Sequence, residues 1–197
     1  ARRPVALVQA LTGTVTWTTA NAPPATATKG TTLVQGDHVT TAKGAAARLA
    51  LADGSFLSLL PDTQIRLGRV ELTSDLKRAV SIELLRGKVE AIAESQGQGS
   101  SFDILTKTAV AGVRGTRFRV ELQDTGNTGV QTLQGKVELQ ATVGDKAVVI
   151  VPAGKAAEAS PQGKVSAPRP LLAEPAVIAP YSGTIARGGA LQWQAVA

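Results

Sequence analysis

The sequence predicts an all-β protein: many short strands rolled into a solenoid-like or sandwich-like domain, with a short β segment at the C-terminus. Three observations predict it. Apolar and polar residues alternate in run after run, which turns one face of an extended segment inward and the other outward. Twenty glycines and ten prolines punctuate 197 residues, so elements are short and turns frequent, as in β architectures. Only six residues are aromatic: Trp17, Phe56, Phe102, Phe118, Tyr181 and Trp193. The core must therefore be built from Val, Leu, Ile and Ala, and a chain of this length can bury enough of them without metal or disulfide help.

The strands follow in order. "GTVTWTT" places Val15 and Trp17 on one face, and "ARLALADGSFLSLL" reads as two strands joined by an Asp-Gly turn. "TQIRLGRVEL" and "VSIELLRGKVEAI" continue the alternation. The stretch "SDLKRAVSIELL" is the one place a helix competes, but Val80, Ile82 and Leu84 recur at every second position and predict strand. "TRFRVEL", "VQTLQGKVELQ" and "KAVVIVPAG" complete the series. Between them lie turn-forming clusters such as "ANAPP", "SQGQGSS" and "DTGNTG". "LLRGKVEAI" and "TLQGKVELQ" echo one another, with "TLVQGDHVTT" as a looser copy. The echo is too irregular for a strict repeat protein, and its glycines mark recurring bends or bulges. Residues 5–165 are expected to form the domain and residues 166–175, rich in proline, an extended linker. Residues 176–197 resemble the truncated start of a second β-sandwich module.

Composition excludes several functions. With no cysteine and one histidine, neither a disulfide scaffold nor a zinc site is expected. His38 stands next to Asp37, but strand neighbours point to opposite faces, so the pair does not form a nucleophile-activating unit. Glu83, Glu90, Glu94 and Asp103 are the carboxylates a glycosidase would need, yet Glu83 falls on a solvated face and no aromatic groove accompanies them. The longest aliphatic run, "AVVIV", is far too short for a membrane-spanning helix. The start, "ARRPVALVQAL", lacks the apolar stretch and cleavage site of a leader, and we expect a signal peptide to have been removed. Net charge is +6 with a pI near 10, which suits an acidic partner. The cations are scattered, however, as on a solvated surface. A nucleic-acid partner is not expected, because β-type readers stack bases on exposed aromatics.

One stretch could hold a site: "TAVAGVRGTRFRVEL", Thr108 to Leu122. "GVRGTRF" lacks the Lys-Ser/Thr of a phosphate loop, and no helix start follows it. From Arg117 the chain alternates, with Phe118, Val120 and Leu122 on one face and Arg117, Arg119 and Glu121 on the other. Gly112 and Gly115 precede it as a kink into a strand, and Thr116 is placed to hold that turn by a local hydrogen bond. Arg114, Arg117 and Arg119 are the candidate contacts for a partner. No catalytic residue, metal ligand or cofactor-binding residue is assigned.

The order of these pieces resembles the FecR domain. "LTGTVTW" comes first, then "KGTTLVQGDHVTTAKGAAARLALADGSFLSLLPDTQIRL". "IELLRGKVEAI", "FDILTKTAVAGVRGTRFRVEL" and "GVQTLQGKVELQ" follow, and the likeness covers roughly Ala10 to Val151. Lys107 stands where the family pattern has proline after threonine. The resemblance implies a periplasmic β-rich domain without catalytic activity or cofactor. The name-giving branch consists of anti-sigma regulators that read the state of an outer-membrane receptor. A second branch joins the domain to a LysM module and β-sandwich modules; the "ALQWQAV" tail is similar to the latter, so the resemblance is to this LysM/FecR-type architecture rather than to the anti-sigma regulator type. The expectation is a scaffold or signal-sensing module that binds an envelope protein or a cell-wall component. The alternative is a module that binds peptidoglycan or another anionic glycan.

Overall fold

The computed structural model describes residues 3–19, 22–72, 77–94, 99–144 and 146–171. Among them the chain is strand, turn and irregular segment, with no helix. The first strands are β1 (Pro4–Thr12), β2 (Val15–Thr18), β3 (Ala25–Thr26), β4 (Thr32–Val34), β5 (His38–Thr41) and β6 (Ala46–Leu51). Next come β7 (Phe56–Leu59), β8 (Gln64–Leu72), β9 (Arg78–Ile92), β10 (Ser101–Leu105), β11 (Ala109–Val113) and β12 (Arg117–Leu122). The last are β13 (Thr128–Gln134), β14 (Lys136–Ala141), β15 (Val148–Pro152), β16 (Lys155–Ala159) and β17 (Arg169–Pro170).

Hydrogen bonding joins these strands into two branches that share β9. One branch runs β4–β1–β6–β7–β9–β12–β13–β16–β17. The other runs β3–β2–β5–β8–β9–β10–β11–β14–β15. The first half of β9 pairs with β8 and β10, and its second half, from Gly87, pairs with β7 and β12. All neighbours are antiparallel except β9 and β10, which are parallel. The segment that could have been a helix is thus a strand from Arg78 onward, and it is the spine of the fold.

Glycine places the switch between branches. Gly87 has φ +84°, and a Cβ there would lie 2.6 Å from the Asp62 carbonyl oxygen and from Thr63 Oγ1. Gly135, in the matching position of the sequence echo, has φ +82° and carries the chain from β13 in one branch to β14 in the other. A left-handed backbone with a neighbour that close admits only glycine without strain. The echo in the sequence is therefore the mark of a branch switch.

Buried threonines secure these switches. Thr63 Oγ1 accepts a hydrogen bond from the Lys88 N–H and lies 3.0 Å from the Lys88 carbonyl, to which it donates. Thr116 Oγ1 donates to the Lys136 carbonyl at 3.0 Å, and Thr132 Oγ1 to the Val151 carbonyl at 2.9 Å. A chain leaving one sheet for another drops out of its ladder, and a buried backbone group left unpaired is costly. For the Lys88 N–H and the Lys136 carbonyl the hydroxyl supplies the missing partner, while the Lys88 and Val151 carbonyls take it as an addition to their backbone bonds.

The core is aliphatic, as the composition requires. Leu49, Leu57, Ile65, Leu67, Ile82, Ile104 and Leu139 are fully buried and come from both branches. At about 1.5–3 kcal/mol per buried side chain of this size, they are the main favourable term. Phe102 from β10 meets Phe118 from β12 edge to face, with ring centroids 6.1 Å apart, a further tie between branches. The "ADGS" hairpin joins β6 to β7, where the buried Asp53 carboxylate accepts from the Ser55 N–H and hydroxyl. Beyond β16 the chain continues along that strand: Ser166 N–H bonds the Glu158 carbonyl, and β17 pairs with β16. The rest of the expected linker and the whole of 176–197 lie outside the described residues.

Three substitutions test the switch, the first of them a control away from it. Gly154 has φ +74° with nothing within 4 Å of its position for a Cβ, so Gly154→Ala should cost only the left-handed backbone term of about 1–2 kcal/mol. Gly87→Ala adds the overlap with Thr63, and its urea midpoint should fall clearly below that of Gly154→Ala; equal midpoints would contradict the packing described. Thr63→Val, nearly isosteric, removes both bonds to Lys88 and should destabilise by about 1–3 kcal/mol.

Candidate functional site

Gly115, φ +82°, turns the chain from β11 in one branch to β12 in the other. The alternation beyond it is as expected: Phe118, Val120 and Leu122 are buried, and Arg117, Arg119 and Glu121 face outward. Thr116, however, holds the turn from a distance. Its hydroxyl reaches Lys136, twenty residues on, instead of bonding locally. The three candidate arginines are consequently divided between two faces, since Arg114 precedes the switch and Arg117 and Arg119 follow it.

Arg117 and Arg119 converge on Glu90 of β9, which stands in register with Arg119. Arg117 Nε donates to Glu90 Oε1 and Arg119 Nε to Oε2, each at 2.8 Å. Burial pushes the Glu90 carboxyl up, but the hydrogen bonds from Arg119 and then Arg117 outweigh it and hold the carboxyl below its ordinary range. A groove of about 930 Å³ runs beside this clamp, lined by Lys88, Arg119, Leu133, Arg169 and Leu171 among others. Its other cations are also paired, Lys88 with Glu121 at 3.4 Å and Arg169 with Glu158.

The face formed by β10, β11, β14 and β15 differs. Asp103, Gly112 and Glu138 are successive cross-strand partners, and the missing side chain of Gly112 opens a cleft of about 370 Å³. A Cβ at Gly112 would lie 3.0 Å from Asp103 Oδ1. Arg114, Lys136 and Ile150 line the same cleft. No side-chain ion pair engages Arg114, Lys136, Asp103 or Glu138 among the described residues. Burial raises the Asp103 carboxyl more than a hydrogen bond with Ser101 lowers it, and the Glu138 charge adds to the rise. Beside the cleft, β15 has one described neighbour, β14, and exposes Val148 and Ile150, each 49% accessible.

Of the remaining residues singled out by sequence, Asp37 and Glu83 are engaged within the fold. The Asp37 carboxylate is buried and accepts from the Thr19 hydroxyl at 2.5 Å and the Val34 N–H at 2.9 Å. His38 sits between Thr18 and Arg66 in the ladder, and the hydrogen bonds to the Asp37 carboxylate come from Thr19 and Val34. Glu83 pairs with Arg66. Among the described residues, no three His, Cys, Asp or Glu side chains gather as a metal site would need. What sequence reasoning missed is Glu90 as the arginine anchor, and Glu138 as the counterpart of Asp103. A glycine inside the "AVAGV" strand was the only local signal for the cleft.

An all-β chain whose two branches exchange strands at glycine corners, with turn and strand motifs in this order, defines a FecR-type domain. Residues 37–138, just over half of the chain, match the model of the FecR protein family. The chain belongs to that family. Two crystal structures of a "putative anti-sigma factor" from Parabacteroides distasonis align with it, each with a TM-score of 0.56 and 21% identity. Each alignment covers 68% of this chain and 59% of the solved one, so the likeness is one of fold over part of a longer protein. No protein of curated function matches the chain.

The two shifted carboxyls should act on stability with opposite sign. Glu90 binds its proton more weakly when folded, so its contribution is present above the ordinary carboxyl range and lost as pH falls through the depressed value. Glu90→Gln should thus destabilise at pH 7 by about 1 kcal/mol, allowing for the exposure of Arg117, and match the wild type in acid. Asp103 binds its proton more tightly when folded, so its contribution is present in acid and lost as pH rises through the raised value. Asp103→Asn should be more stable than the wild type at pH 7, with the gain fading below about pH 4. Urea midpoints across pH check both; parallel curves would refute the assignments.

Proposed function

We propose that this chain is a non-enzymatic interaction module of the bacterial periplasm that takes part in signalling by holding a protein partner. Membership of the FecR family supports it, and so does a fold shared with anti-sigma-type proteins. The observation that carries it is the contrast between the two faces. Beside the β12 arginines, the cations are neutralised by Glu90, Glu121 and Glu158. Around β14 and β15, Arg114 and Lys136 have no such partner and stand next to exposed aliphatic side chains. Unpaired charge beside an exposed apolar strip has the composition of a contact surface. Arg114 is then the member of the original trio that meets the partner, while Arg117 and Arg119 brace β9 against β12.

The glycan alternative finds less support. Phe56 faces outward from β7, but its ring carries the Arg48 guanidinium at 4.5 Å, which occupies the face a sugar would stack upon. Affinity capture from envelope extract tests the proposal. Arg114→Glu with Lys136→Glu should lose the bound partner, whereas Arg117→Glu with Arg119→Glu should retain it wherever the variant stays folded. Retention by the first pair would reject this surface, and co-sedimentation with purified peptidoglycan at low salt would favour the glycan.

A further inference from the structure

We infer that β15 receives an added strand, and that the added strand is an apolar, β-branched segment of a partner protein with carboxylates at its ends. The inference rests on the interaction role proposed above and specifies its geometry.

The pairing of β14 with β15 decides which backbone groups are free. Ala141 N–H bonds the Ala147 carbonyl, and Ala153 N–H bonds the Gly135 carbonyl. In an antiparallel ladder, hydrogen-bonded pairs recur at every second residue. The pairs in register are Leu139 with Val149 and Val137 with Val151, so residues 147, 149, 151 and 153 bond toward β14. Val148 and Ile150 therefore direct their N–H and C=O groups away from β14, and no hydrogen bond engages those groups among the described residues. Strands left open in this way are normally protected by a charge, a bulge or proline within the strand. Here the sequence is Val-Val-Ile-Val, its register is unbroken, and proline comes only at the end, at Pro152. An edge of this kind is suited to strand addition, where backbone bonds give affinity and alternate side chains give selectivity.

Charge selects the occupant. The cations stand toward the ends of the strand, with Lys146 before it, Lys136 opposite Pro152 and Arg114 in the same cleft, whereas the carboxylates Glu138 and Asp103 lie in the cross-strand row of Ile150 at its middle; Asp145 lies outside the described residues. Pairing β15 with β15 of a second copy would bring two chains of net charge +6 together, with Arg114 and Lys136 of each near the junction. An incoming segment with Asp or Glu at its ends meets those cations favourably, and its Val, Ile or Thr side chains would cover Val148 and Ile150.

The probe is a synthetic peptide of alternating valine and threonine with an aspartate at each end, compared with the same peptide ending in lysine. Binding to the intact chain is followed by fluorescence anisotropy, and amide hydrogen exchange reports on β15. The aspartate peptide should bind, slow exchange at Val148 and Ile150, and exceed the lysine peptide several-fold. Ile150→Pro removes an edge-facing donor while leaving the ladder to β14 intact, and should weaken binding by about tenfold or more. Ile150→Thr keeps that donor and should retain most of the binding. No binding by either peptide, or equal binding by both, overturns the inference. So does protection of Val148 and Ile150 before any peptide is added: in a self-associating chain the occupant is a second copy, and in a monomer it is the chain itself. If captured envelope partners depend on Arg114 and Lys136 but ignore Ile150→Pro, the interaction role stands and strand addition falls.

Discussion

The fold depends on what happens to a strand when it leaves one sheet for another. At that point its peptide groups lose their ladder partners, and in a buried place they must find others. This chain meets the requirement with a pair of residue types, a glycine that turns through a positive φ and a threonine hydroxyl reaching in from a distant segment. Thr63 serves Lys88 beside Gly87, and Thr116 serves Lys136 beside Gly135. Because β9 belongs to both branches, the first of these ties the whole assembly together. The aliphatic core supplies most of the free energy, but it needs these corners to bring its two halves face to face.

Once the corners are set, the outward residues acquire neighbours that separate segments contribute. On one face, Glu90 joins Arg117 to Arg119, and the groove beside them is lined by cations that are already matched. A partner arriving there would have to displace internal bonds. On the other face, a glycine at position 112 leaves room for two carboxylates to influence one another, and the nearby cations stay unmatched. The first arrangement favours rigidity and the second leaves interaction energy for something outside the chain. A basic overall charge therefore says less about binding than the local pairing does.

Much of this was legible in the residues. The alternation at Val80, Ile82 and Leu84 identified β9 as a strand, and that of Phe118, Val120 and Leu122 identified the inward face of β12. The repeated Gly-Lys-Val-Glu pointed to bends, and both copies are bends. Other features could not be read. Arg114, Arg117 and Arg119 are neighbours in sequence, and nothing local shows that Gly115 sends them to different faces. The Glu90 clamp spans twenty-seven residues to Arg117, and its existence depends on register. The run "AVVIV" reads equally as a central buried strand or an exposed edge, because periodicity describes a strand's faces and not its lateral neighbours.

By itself the sequence determined the pleated character of the chain, the identity of its inward side chains and the places where it must turn. These are local properties, set by side-chain alternation and by the φ angles that glycine alone tolerates. Tertiary structure decided which strand lies beside which, and hence which charges cancel, which carboxyl is raised and which strand is left open. Those outcomes depend on hydrogen-bond register between segments tens of residues apart, and cross-strand distance sets them more than distance along the chain does.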